Sequence, residues 1–107
     1  MITSDKCYFN LEKKSGYTES GLLGGKDMYS GSKAATEVIL NSYFHSFRRK
    51  NKNLLFCTAR AGNVVGGGDW SKDRLVPDIM RSWKKKKKAI IKNPKSIRPW
   101  QHVLEPL

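Results

Sequence analysis

Apolar residues recur along this chain in blocks of different period. From Tyr29 to about Lys50, Ala34, Ala35, Val38, Ile39, Tyr43, Phe44 and Phe47 fall at three- and four-residue intervals, which predicts a helix with one broad apolar stripe. Arg48, Arg49 and Lys50 fall in its last turn, where cations complement the partial negative charge of the free carbonyls. Residues 54–60, "LLFCTAR", form a short continuous apolar run, the pattern of a strand buried on both faces with Cys57 in the core. A second helix is expected from about Asp73 to Lys87: Val76, Ile79, Met80 and Trp83 share a face, and Pro77 stands near the first turn, where its missing N–H does least harm. "AIIKN" reads as a further short strand broken by Pro94, and the tract leading into Thr3-Ser4-Asp5-Lys6 as the first.

Strand, helix, strand, helix, strand is the order of an α/β fold with a parallel sheet and crossover helices. Residues 10–28 separate the first strand from the first helix. They are polar and rich in Gly, Ser and Lys, with Gly24 and Gly25 adjacent, and so predict a long loop of the kind that often covers an active site.

At 107 residues there is room for one domain or part of one. Net charge is +12, with 21 basic against 9 acidic residues, and this raises the possibility of nucleic-acid binding. Five of the cations are the run Lys84–Lys88, and removing them from +12 still leaves +7, spread singly rather than interleaved with aromatics. A small basic nucleic-acid-binding module is thus the alternative from another class. The spread suits solubility or a small polyanion better. Cys7 and Cys57 lack metal-ligand spacing and no apolar leader opens the chain, which points to free thiols in a reducing cytoplasm. No apolar run is long enough for a bilayer, and neither His45 nor His102 has the companions a metal would need.

The window "MYSGSKAATEV" carries the chemistry. Tyr29 and Lys33 are four residues apart, one turn from each other on the same helix face. A free phenol loses its proton only near pH ~10, but a neighbouring ammonium favours the phenolate and brings such a group toward service as a base. Taken alone, a Tyr-x-x-x-Lys pair in a Lys-rich chain is as readily chance as design. Its context weighs more, because the pair opens a helix that leads into a strand, while Ser4, Asp5 and Lys6 close the preceding one. In a parallel sheet such positions meet at the carboxyl edge, where ligands bind.

"TSDKCY", "YSGSK", "ARAGNVVGGGDW", "DRLVPDI" and "NPKSIRPWQHVLEPL", in this order, resemble the middle of the extended short-chain dehydrogenase/reductase family. Within it they most resemble the nucleotide-sugar 4,6-dehydratases that act on CDP-glucose, with another sugar-nucleotide epimerase or dehydratase of the same family as the alternative. The resemblance implies a partial Rossmann-like sheet. Residues 1–107 would be the C-terminal half of a dinucleotide-binding domain plus the start of a substrate-binding region, with no complete independent domain. It also implies NAD as cofactor, a homodimer for a full-length protein, and no nucleic-acid or membrane partner. No G-x-G-x-x-G follows a strand, so the chain reads as a fragment without the pyrophosphate loop and inactive by itself.

Carried over by residue, Tyr29 takes the proton from the sugar hydroxyl at carbon 4, and Lys33 holds the nicotinamide ribose. Ser4 hydrogen-bonds the same sugar hydroxyl, and Asp5 protonates the hydroxyl that leaves carbon 6. Lys6 stands where many related dehydratases have a Glu that removes the carbon 5 proton, and the resemblance leaves that base unassigned. Ala61 and Gly62 are implied to border the cofactor. Asn63, Arg74 and Arg98 are implied to face the substrate, the guanidinium forks suiting its two phosphates.

Overall fold

A computed structural model describes residues 1–48 and 50–107. They divide into two compact units, Met1–Gly62 and Asn63–Leu107.

In the first unit, strand β1 (Ile2–Ser4) runs into one 3₁₀ turn (Asp5–Cys7), and helix α1 (Met28–Arg48) leads on to strand β2 (Ala59–Ala61). The strands pair in parallel, Ile2 with Ala59, Thr3 with Arg60 and Ser4 with Ala61. Parallel strands need a crossover, and α1 supplies it. The helix starts where Asp27 caps it: its carboxylate accepts from the Ser30 N–H at 3.0 Å and the Ser30 hydroxyl at 2.6 Å, satisfying a donor the first turn leaves free. Gly25 fits against this turn because it has no side chain. A Cβ there would strike the Ser30 Cβ and come within 2.8 Å of the Ser30 carbonyl carbon and 2.9 Å of the Gly31 nitrogen.

The face that α1 buries differs from the expected stripe. Ser30, Ala34 and Glu37 are buried, whereas Val38 and Ile39 are more than half exposed. Glu37 faces inward because this side of α1 meets the strands, where the Thr3 hydroxyl of β1, the Thr58 hydroxyl and the Arg60 guanidinium of β2 give it partners. Farther along, Phe44 packs edge-on against Phe56 at 5.1 Å between ring centroids. Of the cations expected in the last turn, Arg48 stands there, Lys50 lies beyond the helix, and Arg49 is outside the described residues.

"LLFCTAR" is not a strand buried on both faces. Only Ala59 onward pairs, and the preceding residues alternate, Leu55 and Cys57 exposed, Phe56 and Thr58 half-buried toward α1. With α1 on one side, one face of this segment is covered. Cys57 is therefore a surface thiol, and Cys7 is the fully buried one. The expected long loop between β1 and α1 is present, closed by the antiparallel bridge Tyr8–Leu23 and by Tyr8 stacked on Tyr17.

The second unit repeats the plan, with β3 (Asn63–Val65), α2 (Leu75–Lys84) and β4 (Trp100–His102). Asn63 pairs with Trp100, Val64 with Gln101 and Val65 with His102, again in parallel. Helix α2 is shorter than the 73–87 expected: Lys85 caps it, and Lys86 has a left-handed φ of 52° that an α-helix cannot continue through. "AIIKN" holds no strand, and Ile90 is exposed. The strand comes later, in "WQH", where β4 has β3 to pair with.

Candidate active site

β1 and β2 end together at one carboxyl edge, where Ser4 is the register partner of Ala61 and Gly62 follows. Ser4 is buried and extended, and it caps the 3₁₀ turn by accepting the Lys6 N–H at 3.2 Å. Its hydroxyl donates to the Asp5 carboxylate at 3.1 Å, so the two reactive oxygens are in direct contact. The Lys6 ammonium lies 3.9 Å from the other Asp5 oxygen, a loose and partly exposed pair worth little in water. Four of the expected residues, Ser4, Asp5, Ala61 and Gly62, thus gather at one edge for a local reason: a strand that ends in Ser-Asp turns at once.

Tyr29 and Lys33 occupy the first two turns of α1, the helix packed on this 3₁₀ turn. The Lys33 ammonium is 5.6 Å from the centre of the Tyr29 ring, within cation–π range of its face. Tyr29 is 56% exposed, which leaves its hydroxyl open to a ligand. Among the described residues, neither its hydroxyl nor the Lys33 ammonium has a hydrogen-bond partner, and Lys33 has no carboxylate within ion-pair distance. An open phenol beside an uncommitted ammonium leaves both groups able to hydrogen-bond a ligand.

Sequence reasoning missed a buried polar cluster under this site. Glu37, its side chain 4% exposed, accepts from the Thr3 hydroxyl, from the Thr58 hydroxyl at 3.1 Å and from Arg60 Nη2 at 3.0 Å. Arg60 also donates to the Tyr8 hydroxyl at 2.7 Å and to the Glu19 carbonyl at 3.2 Å. The Arg60 guanidinium holds the Glu37 carboxyl down at about 2, against the pull of burial, with Thr3 and Thr58 adding to the effect. Nearby, burial pushes the Cys7 thiol up. A signal was present, since Tyr29, Lys33 and Glu37 are spaced four and four and therefore lie along one face.

The remaining expected residues belong to the second unit. Asn63 begins β3, its N–H bonded to the Pro99 carbonyl at 3.1 Å, and its side-chain oxygen is shielded from solvent with no donor. Such an acceptor is costly to leave unmet and suits a donor on a ligand. Arg74 precedes α2 without capping it, and Arg98 leads into β4. Both are exposed and outside the ion pairs among the described residues. Arg81, which the sequence did not single out, is committed to structure through Asp78 and the Trp70 and Ser71 carbonyls.

No protein-family model matches the chain. It is 53% identical over 99% of its length to the CDP-glucose 4,6-dehydratase of Salmonella typhimurium, and spans 31% of that protein. In structure it superposes, with a TM-score of 0.81 and 25% identity, on a dTDP-glucose 4,6-dehydratase from Bacillus anthracis solved in complex with NAD, covering 96% of this chain and 32% of that one. The α/β crossover architecture is therefore that of a Rossmann-type dehydratase. No helix among the described residues is long and apolar enough to cross a membrane.

Proposed function

We infer that the chain is a catalytic segment of the extended short-chain dehydrogenase/reductase fold, from its nucleotide-sugar 4,6-dehydratase branch, and that its substrate is CDP-glucose. The observation that supports this reading is that Ser4 and Asp5 lie at a 3₁₀ turn against which the helix carrying Tyr29 and Lys33 packs. The similarity to an enzyme named for CDP-glucose supports the choice of nucleotide.

The reaction opens with loss of the proton on the carbon 4 hydroxyl. Tyr29 Oη receives it, and Ser4 Oγ hydrogen-bonds the same oxygen while charge develops there. The Lys33 ammonium, beside the Tyr29 ring, holds the cofactor ribose by its donors. NAD, when bound, supplies hydride chemistry, accepting a hydride at carbon 4 and returning one at carbon 6. Between those events water leaves across carbons 5 and 6: the carbon 5 proton passes to a base outside these four residues, the Asp5 carboxyl gives its proton to the departing carbon 6 hydroxyl, and carbon 5 regains a proton when hydride returns to carbon 6. Lys6, beside Asp5, adds positive charge to that side of the site.

Ala61 and Gly62 continue the edge on which the nicotinamide half would rest, whereas the 107 residues contain no G-x-G-x-x-G after a strand for its pyrophosphate. Asn63, Arg74 and Arg98 are assigned to the substrate, the two guanidiniums to its diphosphate. As domains, residues 1–107 are the later part of a dinucleotide-binding fold and the beginning of a substrate-binding region.

The test is a graft. The segment replaces the matching residues of the Salmonella CDP-glucose 4,6-dehydratase, and the product formed from CDP-glucose and NAD is analysed by mass spectrometry. We expect a sugar nucleotide lighter by one water, and no turnover by the 107-residue chain alone. A folded, NAD-binding graft that leaves CDP-glucose unchanged overturns the reading.

A further inference from the structure

Glu37 has two cations within reach of its position. One is Arg60, which it contacts at 3.0 Å. The other is Lys33, four residues earlier on the same face of α1, at the spacing where a helical carboxylate and ammonium pair. Only the first contact is made. Thr3 and Thr58 hold the carboxylate on the strand side, and Arg60 is held in turn by the Tyr8 hydroxyl, by the Glu19 carbonyl and by stacking 4.8 Å from the centre of the Tyr8 ring. The register of β1 and β2 sets Thr3 and Arg60 directly opposite each other, so both reach the helix from one face. The Cys7 thiol and the Tyr8 hydroxyl are the other titratable groups beside the pair.

We propose that Arg60 is a positioning residue: by occupying Glu37, it prevents an internal ion pair between Glu37 and Lys33 and leaves the Lys33 ammonium free for Tyr29 and for a ligand hydroxyl. The role given to Lys33 rests on the function proposed above, but the competition between two cations for one carboxylate does not. Three residues of one helical stripe thereby have separate duties. Glu37 ties α1 to the strand carrying Ser4, and Lys33 and Tyr29 stay uncommitted.

The experiment measures the rate at which Lys33 is acylated by acetic anhydride in the 107-residue chain, with peptide mass spectrometry and Lys26 as internal reference. In Arg60→Met, Glu37 turns to Lys33, and Lys33 acylation slows about two- to threefold, the effect of one helical ion pair. Adding Glu37→Gln restores the rate, which a general loosening of the fold would not do. A folded Arg60→Met variant with unchanged Lys33 reactivity overturns the proposal, as does a slowing that Glu37→Gln leaves in place.

Lys33→Met supplies a measurement that leaves the clasp itself untouched. The Glu37 carboxyl, followed by NMR, should still titrate near about 2. A rise by about one pH unit would mean that Lys33 was already its partner and would refute the competition. None of these readouts requires turnover, so an inactive graft and a failed competition are separate results.

Discussion

Replacing Glu37 by Gln should destabilise the first unit by an amount that depends on pH. The carboxyl falls from an ordinary 4.5 to about 2. At about 1.4 kcal/mol per pH unit this corresponds to about 3 kcal/mol of stability at neutral pH. The side chain is 4% exposed, so solvent screening removes little of it. Gln keeps an acceptor for Thr3 or Thr58 but leaves the Arg60 guanidinium buried without an opposite charge, a defect that costs about 3–5 kcal/mol where it has been measured. A loss of about 2–4 kcal/mol is expected, a large share of what a small chain has.

The sign follows from the depressed value. The contribution is complete above about pH 4.5 and disappears as pH falls through about 2, where Glu37 is protonated whether folded or not. Urea unfolding followed by circular dichroism, on the unchanged chain and on Glu37→Gln, reads the difference at about pH 7 and again toward pH 2. The two curves should converge at the acid end. Equal stability at neutral pH, or a gap that stays constant down to about pH 2, would refute the argument that an ionised Glu37 holds α1 to the strands.

Gly25→Ala places a methyl against the Ser30 and Gly31 backbone. It should cost about 1–3 kcal/mol in unfolding free energy and slow any turnover in the graft, since the obstructed turn carries Tyr29. Asp27→Ala removes the cap of α1 and should speed hydrogen exchange at the Ser30 and Gly31 amides severalfold, with the rest of the helix unaffected. The Ser30 hydroxyl and amide hold the Asp27 carboxyl below its ordinary value, so the cap is present above the usual carboxylate range and is lost as pH falls below it. Cys57 should react with a soluble thiol reagent in the folded chain, while Cys7 should react only on unfolding.

The helices were legible as elements because each carries a helical period, although the face that α1 buries was not, and Tyr29 with Lys33 stood out because four-residue spacing has one geometric meaning on a helix. Ser4 and Asp5 were legible because a strand that ends in small polar residues must turn. The strands were read less well. "LLFCTAR" has the composition of a doubly buried strand, yet which of its faces is covered depends on what lies beside it, and α1 lies on one side only. Leu55 and Cys57 are exposed for that reason. "AIIKN" has strand propensity but no strand beside it, whereas "WQH" has β3. Glu37 and Arg60 went unnoticed because a charged residue among apolar neighbours reads as a solvent face. Only the register of β1 with β2 brings Arg60 opposite Thr3 and shows that the carboxylate is buried.

The central claim assigns two different protons to Tyr29 and Asp5, and one measurement separates them. In the grafted enzyme, absorbance of the reduced nicotinamide and product mass are followed together after mixing with CDP-glucose, in Tyr29→Phe and in Asp5→Asn. Tyr29→Phe should abolish both signals, a loss of about a hundredfold or more in rate. Asp5→Asn should still reduce the nicotinamide, because the carbon 4 proton is not its charge, but should lose formation of the dehydrated product. Reduction of the nicotinamide in the Tyr29→Phe graft, or unimpaired dehydration in the Asp5→Asn graft, would contradict the account.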